Sequence, residues 1–106
     1  MKHLQIRLSP VADKDLTDIE EYISEELSDP QAAKNTIRSI VEEYEKLANF
    51  PELGTDISSA LGIKTRFRRL VCGHYHVFYK VDASFISIYR ILYDRRNYIG
   101  ILFGTE

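Results

Sequence analysis

The feature that most constrains this chain is a change of rhythm partway along it. Between residues 10 and 48 apolar side chains return every three or four positions, and from Thr65 they return every second one. The first spacing lays a stripe down a helix; the second sends alternate residues to one face of a strand. Helices followed by strands, each with one greasy side, can bury those sides only against each other.

The helical part has clear punctuation. Ser9-Pro10 predicts a capped start, with Pro at the position whose N–H has no helical partner. Ala12, Leu16, Ile19, Ile23 and Leu27 then form the stripe of a helix over about 10–27. Asp13 and Asp15 sit early, where the helix dipole favours negative charge; Asp18, Glu21 and Glu25 mark the solvated face. Ser28-Asp29-Pro30 repeats the punctuation. It starts a second helix over about 30–48, with Ala33, Ile37, Ile40, Val41, Tyr44, Leu47 and Ala48 as its stripe. So short a joint folds the pair back as an antiparallel hairpin.

Before the helices, Leu4, Ile6 and Leu8 alternate with His3, Gln5 and Arg7, which predicts a half-buried strand. After them, Phe50-Pro51-Glu52-Leu53-Gly54 ends the second helix, and residues 55–64 read as a loop. Residues 65–71, 75–82 and 85–93 read as a three-stranded antiparallel meander, with turns at Cys72-Gly73-His74 and Asp82-Ala83-Ser84. Tyr75, Val77, Tyr79 and Val81 fall on one face of the middle strand; His74, His76, Phe78 and Lys80 fall on the other. Tyr98 to Phe103 is a short apolar extension, either a last strand or a packed tail. The expectation is one α+β domain over 1–106: N-terminal strand, helical hairpin, meander, extension.

Charge is divided along the same line. Residues 1–63 carry six Lys+Arg and thirteen Asp+Glu, whereas residues 64–96 carry eight Lys+Arg and two Asp+Glu. Either the basic half meets an anionic partner, or the acidic helices simply balance a basic sheet. The single cysteine, Cys72, excludes an internal disulfide, and no His/Cys spacing suggests a metal site. No apolar run approaches the roughly 20 residues of a membrane span, so a cytoplasmic protein without membrane or cofactor is expected.

Several stretches resemble the RelE/ParE superfamily of toxins from type II toxin–antitoxin modules. Leu47, Pro51 and Gly54 resemble the family's helix-ending pattern. Arg66-Phe67-Arg68-Arg69, followed by Gly73-His74-Tyr75-His76-Val77-Phe78-Tyr79-Lys80-Val81, resembles its hairpin. Ile86 to Asn97, with Arg90, Arg95 and Arg96, resembles its last long strand and exit. The resemblance implies a cognate antitoxin as partner and either DNA gyrase or ribosome-bound mRNA as target. A third outcome is a non-toxic relative that only binds its antitoxin.

The two targets ask for different residues. Metal-independent mRNA cleavage needs a base, an acid and cations to hold phosphorane charge; the resemblance implies Arg69, His76, Tyr93 and Arg95 for those roles. Gyrase binding needs only a surface, implied here as Arg66, Arg68, Arg69, His74, Arg95, Arg96 and Tyr98. Departures from the nuclease pattern favour the ParE-like side. His76 stands where nucleases usually have arginine, and Tyr93 stands where many have histidine. A pI near 5.9 is also low for a protein entering an RNA-lined site.

Overall fold

A computed structural model describes residues 3–94 and 97–104. The elements in chain order are β1 (Gln5–Leu8), α1 (Pro10–Glu21), α2 (Pro30–Glu45), β2 (Thr55–Asp56), α3 (Ser58–Leu61), β3 (Arg68–Cys72), β4 (Tyr75–Val81), β5 (Phe85–Tyr93) and α4 (Tyr98–Phe103). A π-helical turn, Tyr22–Glu26, prolongs α1, and a 3-10 turn, Lys46–Ala48, prolongs α2. The strands make one sheet in the order β1-β5-β4-β3-β2. The meander β3-β4-β5 is antiparallel, whereas β1 joins it parallel to β5.

Both helix starts form as their sequences imply. Ser9 Oγ accepts the Ala12 N–H at 3.0 Å, and Asp29 Oδ1 accepts that of Ala32 at 3.0 Å. The hairpin and the turn after it bury Ala12, Ile40, Tyr44 and Leu47 against Val77, Tyr79, Ile86, Ile88 and Ile91 of the sheet, and Ile23 and Ala33 are buried as well. Leu27 is a correction: it is 57% exposed rather than part of the stripe. The wider π-turn advances each residue less around the axis, so the stripe drifts off the core after Ile23.

Asp15 is a second departure, since it points inward. It is the buried charged residue among the described ones, and its carboxylate grips Arg90 at 2.8 and 3.0 Å. The same carboxylate accepts the buried Ile91 N–H at 2.9 Å. The need arises because β1 stops at Leu8, opposite Ile88, while β5 runs on to Tyr93. At that point β5 also bulges: Phe78 pairs with Arg90 and Tyr79 with Ile88, leaving Tyr89 over. Ser9 Oγ donates to the Tyr89 carbonyl at 3.0 Å, and Asp15 takes the next free donor. α1 thus finishes an edge that β1 leaves open.

The pattern of Leu47, Pro51 and Gly54 has a packing cause. The Tyr79 hydroxyl donates to the Pro51 carbonyl at 2.8 Å and accepts from the Gly54 N–H at 2.9 Å. A Cβ on Gly54 would lie 2.8 Å from the Arg69 carbonyl and 2.7 Å from that hydroxyl, so only glycine lets the chain come this close.

One further expectation is corrected. Residues 55–64 are not a plain loop: β2 pairs with Arg68 and Arg69, and α3 follows. Of the two forms open to the C-terminal extension, the packed tail is the one present: it folds as the helix α4, capped by Asn97 and ended by Gly104 in a left-handed conformation. Its Tyr98, Ile101, Leu102 and Phe103 pack with α3 over Ile57, Phe67, Phe78 and Leu92, a second small core on the sheet face away from the hairpin.

Asp15→Ala is expected to destabilise the fold by about 3 kcal/mol, since it strands a half-buried guanidinium and a buried N–H together. Asp15→Asn keeps an acceptor for Ile91 and should lose less; urea unfolding of both variants checks the order. Gly54→Ala should cost about 2 kcal/mol by overpacking against backbone that cannot yield, read in the same assay.

The pH dependence is also set here. Burial pushes the Cys72 thiol from its ordinary value near 9 up to about 11, and burial raises the Tyr44, Tyr75 and Tyr79 hydroxyls as well. Unfolded chains release these protons earlier than folded ones. The stabilisation is therefore complete below pH 9 and declines as pH rises toward 11. Unfolding midpoints should fall across that window, and Cys72→Ala should flatten part of the fall.

Candidate functional site

The outer face of the sheet, opposite the hairpin, carries most of the chemistry-bearing side chains. The register places Arg69 beside Phe78, and Val71 beside His76, which in turn faces Leu92. His76 is largely covered, with 13% of its side chain exposed, and its Nε2 lies 3.0 Å from Asp94 Oδ1. His74, exposed at the turn, brings Nδ1 to 3.7 Å from the other carboxylate oxygen. Asp94 is tied down in turn, its N–H donating to the His74 carbonyl at 2.8 Å. Both histidines therefore share one carboxylate at the exit of β5.

Next to them α4 lies across the face. The Tyr98 ring stacks on Phe78 with centroids 5.1 Å apart, and Phe103 meets Phe67 edge-on at 5.7 Å. The Arg69 guanidinium carbon sits 5.9 Å from the centre of the Tyr98 ring. Its Nε is buried and has no hydrogen-bond partner among the described residues. A buried cationic donor without an acceptor is costly, and it can take an anionic or carbonyl oxygen at no further desolvation of its own.

Other residues singled out from the sequence lie elsewhere. Arg68 turns to the hairpin side, where it donates to the Gly54 carbonyl at 2.7 and 3.1 Å and to that of Glu52 at 3.4 Å. Arg66 is exposed at the start of the hairpin, 3.4 Å from the Val81 carbonyl. The length of β3 separates it from His74, on the order of 20 Å. Tyr93 pairs with Tyr75 and leans against it edge-on at 5.5 Å, on the hairpin side. Arg69 and His76 thus share a face with Tyr98, while Tyr93 lies on the opposite one. Arg95 and Arg96 lie outside the described residues. Lys80 also contributes less free charge than its position suggests, because its amine lies over Phe67 at 4.4 Å and Tyr89 at 5.1 Å.

Asp94 and Asp15 were not foreseen as partners. Asp15 carried a signal: it lies three positions after Ala12 and four before Ile19, on the apolar stripe itself. An acid on a buried stripe asks for a base on the facing strand. Asp94 carried none, because its role depends on the register of β4 against β5. Among the described residues no three His, Cys, Asp or Glu side chains gather as a metal site, and no helix is long and apolar enough to cross a membrane.

The chain's likeness to known proteins agrees with this architecture. Its fold is similar to that of a chain from the chromosomal ParDE TA system of P. aeruginosa, with a TM-score of 0.72 at 22% identity over 86% of this chain and 96% of that one. No curated protein matches the sequence. The family model for the ParE toxin of the type II toxin–antitoxin system parDE matches residues 6–98. That match runs from β1 to the start of α4 and takes in both faces of the sheet, so the chain belongs to the ParE toxin family.

Proposed function

We propose that this toxin acts by binding DNA gyrase and holding it on cut DNA, without hydrolysis of its own, until a cognate antitoxin covers it. The state of His76 carries the reading. A nuclease that activates a 2′-hydroxyl needs a base with a free ring nitrogen open to substrate. Here the imidazole is largely covered and engaged with Asp94. Arg68, a second candidate for phosphate, is held by backbone carbonyls. What the described residues leave accessible suits a protein surface better: Val71 on the outer face, Ile99 on α4, the half-buried Arg69 and, before β3, the exposed Arg66.

A second reading is ribosome-dependent mRNA cleavage. One observation favours it: the unpartnered Arg69 Nε on the same face as His76, an arrangement that would suit a phosphate.

The two separate in a paired assay. Purified protein with gyrase and supercoiled plasmid should yield linear DNA after denaturation, and the same protein with programmed ribosomes should leave mRNA whole. Arg66→Ala combined with Arg69→Ala should weaken the gyrase effect by roughly tenfold or more, as loss of a charged hot spot does. Cut mRNA and untouched plasmid would replace the first reading by the second.

A further inference from the structure

The hairpin side of the molecule has its own unfilled feature, a cleft of about 320 Å³ between α2 and the β3–β4 turn. Ile40, Cys72 and Tyr75 line it from the core, and Asn35, Ser39 and Glu43 line it from α2. Ile40 and Cys72 are nearly inaccessible to solvent, so the cleft stands directly over the main core. A single aliphatic or aromatic side chain entering it would continue that core.

Its neighbour is an exposed aromatic rim. Tyr93 is half-exposed and held edge-on against Tyr75, with the His74 ring 6.2 Å away. The packing fixes the Tyr93 ring while leaving it accessible, which is what a cation needs in order to settle over it. The field points the same way. Residues 10–48, which make the hairpin, carry eleven Asp+Glu against four Lys+Arg. On the rim Glu43 is paired with Lys46 at 2.7 Å, so the attraction comes from the whole layer rather than from that carboxylate alone.

We infer that this cleft anchors a segment of the antitoxin in which an apolar residue, seated on Ile40, Cys72 and Tyr75, stands beside an arginine or lysine laid over Tyr93. The proposal rests on membership of the ParE toxin family, and it is independent of which target the toxin binds. Nucleic acid is disfavoured here by the negative layer. A positively charged polypeptide is favoured, and a toxin–antitoxin pair supplies one protein partner that must bind tightly.

The probe is the cognate antitoxin, titrated against the purified toxin. Ser39→Trp places an indole over the cleft from an exposed helical position and should weaken the complex at least thirtyfold, the loss of a buried anchor side chain. Tyr93→Leu keeps apolar bulk but removes the π face, and should weaken it about tenfold. Changing antitoxin arginines and lysines one at a time to glutamine should reveal one position at which Tyr93→Leu has no further effect. Thermal melts establish that the variants fold; should Ser39→Trp fail, Asn35→Trp blocks the same cleft one turn earlier. Wild-type affinity for both a folded plug variant and Tyr93→Leu would overturn the proposal. So would a Ser39→Trp change that abolishes self-association of the free toxin while sparing the antitoxin, since the occupant would then be a second copy. Absence of toxicity in cells would count against the gyrase reading alone, because the binding titration does not depend on it.

Discussion

The Asp15 carboxylate solves the problem on which the rest of the molecule depends. A sheet whose edge strand is shorter than its neighbour leaves donors without acceptors, and a buried donor left so costs about 1–3 kcal/mol. Here β1 covers β5 only as far as Ile88. The chain turns directly into α1, whose cap Ser9 and first inward acid Asp15 meet the groups that β1 no longer reaches. Because Asp15 also grips Arg90 with both oxygens, the helix is fixed along the strand as well as against it. The arginine is in turn kept charged more firmly than usual by that hydrogen-bonded carboxylate. The whole hairpin takes its position from α1, so the location of the α2 cleft follows from this contact.

A similar logic closes the other edge. β2 has only two residues and could not hold a sheet edge by itself. It is kept in place by what precedes it: the Tyr79 hydroxyl and the Arg68 guanidinium bind backbone atoms of residues 51–54 from the hairpin side. An arginine that reads in the sequence as a target contact is therefore a brace for the turn after α2. Toward the opposite edge Arg90 is likewise a brace, held by the Asp15 carboxylate.

The sequence displayed the fold wherever local rules and tertiary demand agree. Two capped helices, the meander and its face assignment all follow from spacing, since a strand buried on one side must alternate and a helix must stripe. It failed where a few residues obey tertiary packing. Thr55-Asp56 has no period to detect. Tyr98 to Phe103 is ambiguous between a strand and a packed tail because Gly100 interrupts it between two β-branched isoleucines, yet Phe78 and Leu92 need cover on the outer face. A helix brings Tyr98, Ile101 and Leu102 to one side to supply it. Asn97 as a cap and Gly104 as a stop were the available local signs. Of the candidate site, the composition of the outer face was legible from the alternation of His76 with Phe78. The pairing of both histidines to Asp94 was not, because register across strands is a long-range property.

Counting basic residues in the meander overstates its free positive charge, and this bears on the kind of partner it takes. Arg68 and Arg90 are turned to internal acceptors, and Lys80 lies over two rings. Arg68 and Arg90 have committed donors to those acceptors, so a phosphate approaching the sheet finds fewer hydrogen bonds from the described residues than the sequence promises. Affinity for nucleic acid scales with the number of phosphates neutralised, and falls steeply with salt when few are. Among the described residues, a face with a half-buried arginine, a covered histidine and exposed Val71 and Ile99 gains more from apolar contact than from phosphate. The acidic hairpin adds a long-range repulsion toward any polyanion arriving from behind. The two sides of the sheet therefore present different chemistries, and the short Asp15–Arg90 link helps to keep them back to back.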